Sequence, residues 1–409
     1  MLVLKRNDDH VAFHTRSFAD VSYDEAMRRA SELVPFLREH AAASEAERRM
    51  PDAVTAELHR TGLFRYLQPK AWGGMELAFV ASVDIPEMLA RGDCSAAWNV
   101  ANLASHHRTL ALFSERAQHE VWSENPDALI AAAIAYPQGR ACKADGGLVL
   151  SGTWNFCSAV KGAGWNTLAC VVRDGEKPID WCQCLLRSSE YEVIDDWHTL
   201  GMRGTGSCTV KVEQLFVPAY RTQSMAAALP GHEFPGVKLN PNPMFRVPTS
   251  ALGGHALASC VVGNAQAALD TMIDWVKSRS TNYTAANMRD FQAVQLRIGN
   301  AGANIDAARL MLRNDCIESE AIVKRGAEVD LPSKLRYKRN CATGGRICVE
   351  ALDSLHEMAG GNGIYQTHPL ERMFRDIHTA AGHFSFSLDA QLPAWGLLAL
   401  GGEFKSPTM

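Results

Sequence analysis

The sequence predicts a mostly helical α+β protein in which a β region stands between two helical ones. Three observations carry this. Apolar residues recur at helical spacing from residue 22 to about 128, short runs of period two separated by turn signals occupy 129–225, and long helical patterns return from about 250 onward. At 409 residues the chain exceeds one ordinary core. Three domains are therefore expected, over 1–128, 129–240 and 241–409.

In the first region, Ser22 and Glu25 have the spacing of a capping box, and Met27, Ala30, Leu33, Val34 and Leu37 form the apolar stripe behind it. Pro51 opens the next helix, Val54 and Leu58 face inward, and Gly62 closes it. The breaker-rich "PKAWGG" (69–74) follows, then two helices over about 80–92 and 96–122. In the second region "LVLSGTWNF", "TLACVV", "WCQCLL", "YEVI" and "TVKVEQLFVP" read as strands, divided at Asp145-Gly146-Gly147 and Asp174-Gly175. That spacing suggests a small antiparallel barrel or sandwich. A proline-rich connector, Pro230 to Pro248, leads to "SALGGHALASCVVGNAQAALDTMIDWV" (250–276), long and rich enough in small residues to predict a buried helix.

The composition, 47% hydrophobic and 21% charged, is that of a soluble globular protein. A net charge of −4 gives no reason to expect nucleic acid or an anionic membrane as partner. The eleven cysteines are scattered without paired C-x-x-C blocks, as reduced thiols would be. Cys182 and Cys184 share one strand face, yet have no evident partners for a metal, and none is expected. The opening "MLVLKRNDDH" has too short an apolar run for a signal peptide, and stretches such as "ALIAAAIAYP" fall short of the roughly 20 residues of a membrane span. A cytoplasmic protein is expected. No G-x-G-x-x-G follows a strand, so no nicotinamide site is expected either.

Several segments carry a resemblance that covers nearly the whole chain. "GMRGTGSCTVKVEQLFVP" (201–218), "FQAVQLRIGNA" (291–301) and "MAGGNGIYQTHPLERMFRD" (358–376) resemble signatures of the acyl-CoA dehydrogenase superfamily, in the family's order. "LQPKAWGG" (67–74), "HHRTLALFSERAQHEVW" (106–122), "GTWNFCSAVKG" (152–162) and "RDIHTAAGH" (375–383) resemble the oxygenase components of its two-component flavin monooxygenases, such as p-hydroxyphenylacetate hydroxylase, secosteroid hydroxylase and dibenzothiophene monooxygenase. The resemblance implies a helical domain, a central β-barrel or sandwich and a C-terminal four-helix bundle. It implies reduced FMN or FAD supplied by a separate NAD(P)H:flavin reductase, with O2 added to form a C4a-hydroperoxide that hydroxylates a phenolic or indolic substrate. It also implies a homo-oligomer, a dimer or tetramer.

A dehydrogenase of this superfamily needs a carboxylate base above the flavin. Neither region that supplies it has one here: no acidic residue lies between Asp376 and Asp389, or between Glu233 and Asp270. The first region offers His383 instead, where the monooxygenases carry a histidine beside the flavin, and imidazole can donate or take a proton near neutral pH. A base-lacking dehydrogenase or oxidase, a heteroatom monooxygenase and a flavin-free relative stay open as alternatives. By resemblance, Trp154 and Phe156 wall the isoalloxazine and Ser158 meets flavin N5, unless the stretch is plain barrel core. Many relatives read Ser-Gly-x-x-His-Ala there; this chain reads Ser-Ala-Val-Lys-Gly-Ala, closer to the desulfurising branch. His106 matches a histidine of the substrate pocket, whereas His107 and His119 are expected in solvent and His378 elsewhere on its helix. Trp197 matches a tryptophan near the flavin or a core residue, and Thr205 and Ser207 either offer hydroxyls or shape their loop. Arg279, Gln292 and the Gly360-Gly361 turn match contacts to a neighbouring subunit's cofactor. Arg372 and Arg375 are expected to pair with Glu371 or Asp376.

Overall fold

The computed structural model describes residues 16–280 and 285–406; the opening run read for a leader lies outside them. Helix α1 (Tyr23–Glu47) starts where Ser22 accepts from the Glu25 amide. The capping box is only half made, because the Glu25 carboxylate is taken by Arg28 (2.8 Å) and Arg29 (2.7 Å). Helix α2 (Asp52–Thr61) lies between Pro51 and a left-handed Gly62, as its punctuation predicts. Helix α3 (Ala81–Ala90) follows the breaker-rich loop. The single helix expected over 96–122 is two, α4 (Cys94–Leu110) and α5 (Glu115–Trp122). Ser114 breaks it by capping α5 and donating to the Tyr220 carbonyl (2.8 Å).

The β region is one mixed eight-stranded sheet: β1 (Ile130–Ala133), β2 (Gly139–Ala144), β3 (Gly147–Cys157), β4 (Trp165–Asp174), β5 (Lys177–Arg187), β6 (Glu192–Ile194), β7 (Cys208–Pro218) and β8 (Thr222–Ser224). The order is β6-β7-β3-β2-β4-β5-β8, with β1 beside β4. The purely antiparallel expectation is corrected at β4, which runs parallel to both β1 and β2. Residues 158–164 carry the chain across the end of the sheet instead of turning it back on β3, and this crossover holds the site described below.

The second helical region comprises α6 (Thr249–Leu252), α7 (His255–Lys277), α8 (Gln292–Lys324), α9 (Leu331–Ala359), α10 (Pro369–Ala381) and α11 (Leu388–Ala399). Helices α7 to α10 pack together, with α11 on α9. Helix α7 also packs on α3 and α4, which explains why it is apolar on nearly every side. The loop between β6 and β7 is clamped from both helical regions: Asp376 accepts from the Met202 amide (2.6 Å), and Arg375 spans Glu45 (2.7 Å) and Glu371 (2.6 Å). Burial pushes the Asp376 carboxyl up to about 7.

Candidate active site

Strand alternation would put Trp154 and Phe156 on one face of β3. They part because the β3–β7 register shifts between Trp154 and Cys157, and Phe156 adopts a left-handed φ of 64°. Such a φ is costly for an aromatic residue and is found where structure holds a functional group in place. Trp154 turns inward and is fully buried, its Nε1–H donating to the Ala169 carbonyl at 2.7 Å. Its indole fills the space over Gly139 and Gly152, where an added Cβ would stand 2.5 and 2.6 Å from the ring. The expectation that Trp154 walls a flavin is therefore corrected: it is sheet core. Phe156 turns outward, 69% exposed, and meets Trp197 edge-on at 6.1 Å between centroids. The Trp197 indole N–H donates to the Met202 carbonyl (3.0 Å), tying this pair to the 201–207 loop.

Three residues beyond Phe156, the Ala159 amide donates to the Thr205 carbonyl (2.9 Å) and seats Ser158 against the same loop. The Ser158 hydroxyl accepts from Trp98 Nε1–H (3.2 Å) and lies 2.8 Å from the Ser207 hydroxyl, itself 2.7 Å from that of Thr205. The rings of Trp98 and His383 meet edge-to-face at 5.6 Å, and Phe386 packs against both. The His383 loop is held close by Gly254, where an added Cβ would stand 2.8 Å from Ser385. Ser158 and His383, 225 residues apart, thus meet through Trp98. Trp98 is the member of this cluster that the sequence did not single out. Its signal is its place on α4, where it leads the half-buried polar residues Asn102, Ser105, His106 and Thr109 at helical spacing.

His106 stands two turns beyond Trp98 on α4, about 12 Å along the axis. Its Nδ1 lies 2.7 Å from the Ile130 carbonyl; a carbonyl only accepts, so Nδ1 carries the hydrogen and Nε2 is left as an acceptor. His383 is arranged in the opposite sense. Its Nδ1 accepts from the Ser385 amide (3.2 Å), so its hydrogen is on Nε2, a donor. Burial pulls both imidazoles down to about 4, so both are neutral near pH 7. The expectation of a solvated His107 is corrected: it is buried, stacked on Trp122, and accepts that residue's Nε1–H at 3.2 Å. His119 is exposed. His378 is 2.8 Å from Asp353 and takes no part in the cluster.

The remaining residues form a second group. Arg279 lies over the Trp275 ring (4.8 Å), and its carbonyl accepts from Met288, just before Gln292 opens α8. Arg297, in the second turn of α8, reaches Ser354 and Glu357 near the Gly360-Gly361 end of α9. These residues collect at the C-terminal end of α7, whereas the His383 loop packs at its N-terminal end. A helix of 23 residues separates the two by about 35 Å. Among the described residues no three His, Cys, Asp or Glu side chains are grouped to hold a metal ion.

Comparison with known proteins bears on this arrangement. Residues 25–125 match the acyl-CoA dehydrogenase N-terminal domain model and residues 255–388 the C-terminal one. The chain is 31% identical over 383 residues to the flavin-dependent monooxygenase oxygenase subunit HsaA of Rhodococcus jostii, covering 93% of this chain and 98% of that one. It is 32% identical over 387 residues to the oxygenase component of the FADH(2)-dependent resorcinol hydroxylase of a Rhizobium species, covering 92% and 94%. The crystal structure of 3-HSA hydroxylase from Rhodococcus sp. RHA1 superposes with a TM-score of 0.90 at 30% identity, covering 94% of this chain and 99% of that one. The fold and these relatives agree: the chain belongs to the acyl-CoA dehydrogenase superfamily, among the oxygenase components of the flavin-dependent monooxygenases.

Proposed function

We propose that this oxygenase hydroxylates a small phenolic or indolic substrate, using reduced FMN or FAD delivered by a separate NAD(P)H:flavin reductase. The observation that carries the reading is the pair of neutral histidines with opposite tautomers. His106 Nε2 is poised to accept a phenolic or indolic hydrogen and so raise the electron density of the ring to be oxidised. His383 Nε2–H is poised to donate, beside the Trp98–Ser158 contact. Hydroxylation needs one group of each kind. The residues fit a flavin: Ser158 keeps a lone pair free for N5–H, and the Phe156–Trp197 pair offers an exposed aromatic wall. Reduced flavin, when bound, supplies the two electrons that split O2 into one transferred oxygen and one water. Trp98 and Phe386 around His383 keep that end of the site apolar.

The active species is a homo-oligomer in this reading. A site built around Ser158 and His383 lies too far from Arg279, Gln292 and Gly360-Gly361 of its own chain, so those residues serve the flavin phosphate of a second copy. Helix α8 supports this with an apolar face that is uncovered among the described residues: Leu296, Ala303, Leu310 and Ile317 recur every seven residues, with Leu310 66% exposed. The eleven cysteines, all free thiols, support a cytoplasmic location. The test is reconstitution. With NADH, flavin and a panel of phenols and indoles the protein alone should be inactive, and adding a free flavin reductase should start turnover. NADH oxidation by this chain alone would refute the reading.

A further inference from the structure

The hydroxyl groups behind Ser158 have a direction that distances alone do not state. Each carries one hydrogen. At one end of the row stands Trp98 Nε1–H, which can only donate; at the other stands the Met202 carbonyl, which can only accept and lies 2.8 Å from Thr205 Oγ1. Thr205 must spend its hydrogen on that carbonyl, because two bare oxygens at 2.8 Å would repel. It then has only lone pairs for Ser207, 2.7 Å away, so Ser207 donates to Thr205. Ser207 in turn has only lone pairs for Ser158, 2.8 Å away, so Ser158 donates to Ser207. The row reads Trp98 → Ser158 → Ser207 → Thr205 → Met202, with every hydrogen used. All four side chains from Trp98 to Thr205 are buried, so water does not compete for these hydrogens.

We propose that this polarised row makes Ser158 an acceptor-only group toward the site and thereby selects the redox state of the flavin bound there. The inference rests on the flavin reading given above. Reduced flavin carries a hydrogen on N5 and can donate to the free lone pair of Ser158. Oxidised flavin presents a bare N5, which would face an oxygen with no hydrogen to offer. Ser207 and Thr205 are the positioning residues, since neither needs to touch the cofactor: they hold the Ser158 hydrogen away from it. The arrangement favours loading of the reduced flavin and release of the oxidised one after each turnover.

The test is the ratio of dissociation constants for oxidised FMN and dithionite-reduced FMN, each titrated anaerobically by fluorescence or absorbance. Other contacts contribute to the wild-type ratio, so its change is what decides. Ser207→Ala frees the Ser158 hydrogen to turn toward N5. Oxidised FMN should then bind about threefold to tenfold tighter while reduced FMN is little changed, the effect of one neutral hydrogen bond. Ser207→Thr keeps the hydroxyl and should keep the wild-type ratio. Thr205→Val removes the next acceptor and should move the ratio in the same direction, which guards against a Ser207→Ala variant that fails to fold. Variants that weaken both forms equally would overturn the row's role and leave the flavin reading standing. A wild-type protein that binds neither form would overturn the flavin reading and the inference with it.

Discussion

Ser158→Ala should do two things of different size. The first is structural. Removing the hydroxyl leaves the Trp98 Nε1–H and one Ser207 lone pair, both buried, without the partner each now has. A buried donor left unsatisfied costs about 1–3 kcal/mol, so the unfolding free energy should fall by that much. The second is functional. If Ser158 holds the N5 hydrogen of the reduced flavin, losing one net hydrogen bond of about 0.5–1.5 kcal/mol should raise uncoupled oxidation roughly twofold to tenfold. The assay couples the oxygenase to a free flavin reductase and measures hydrogen peroxide released per NADH consumed, with saturating substrate, beside a thermal melt of the same preparation. Peroxide yield and stability should both change. A variant that melts earlier and leaks no more peroxide than wild type would refute the functional half, leaving Ser158 as a strut between Trp98 and Ser207.

Trp154→Phe should lower stability by about 1–3 kcal/mol, through the vacated core and the bare Ala169 carbonyl, and leave flavin affinity unchanged; an affinity loss without a stability loss would restore Trp154 to the flavin wall. Because burial holds His106 and His383 near 4, hydroxylation should show no inflection at pH 6.5, and its acid limb should fall below about pH 5. Stability follows with a definite sign: the unfolded chain binds more protons at these histidines between about pH 6.5 and 4, so their contribution is present above that window and is lost as pH falls through it. His106→Gln should flatten part of that slope in denaturant titrations, and an unchanged slope would contradict it. In mixtures of His383→Ala and Arg279→Ala chains, each inactive alone, a site shared between two chains predicts recovery of roughly a quarter of wild-type activity, since half the dimers hold one intact site. No recovery would place both groups in one chain's site.

The legible parts of the fold were those with local physical causes. Ser22, Pro51 and Gly62 act through caps and fixed φ values, so α1 and α2 could be placed from sequence. The parallel placement of β4 depends on a crossover with no sequence period and was not legible. At the site, alternation failed at Phe156 because one left-handed residue reverses the facing of the strand end, and that position is neither Gly nor Asn. His107 was readable after all: it shares a helical face with Leu103, Leu110 and Ala111, all buried. Trp98 joins Ser158 and His383 across long sequence separations, which only the tertiary fold creates. The hydroxyls of Thr205 and Ser207 were visible in the sequence but the direction of their hydrogen bonds was not; it comes from the Met202 carbonyl.

The central claim, that one atom of O2 is transferred to an aromatic substrate with electrons carried in by reduced flavin, is tested most directly by isotope. The protein is mixed anaerobically with photoreduced flavin and a phenol or indole found to turn over, then exposed to 18O2 with no nicotinamide present, and the product is weighed by mass spectrometry. The account predicts a hydroxylated product carrying one 18O atom. A product labelled only from H2 18O in the reciprocal experiment, or none formed across the panel while the reduced flavin is consumed, would contradict it.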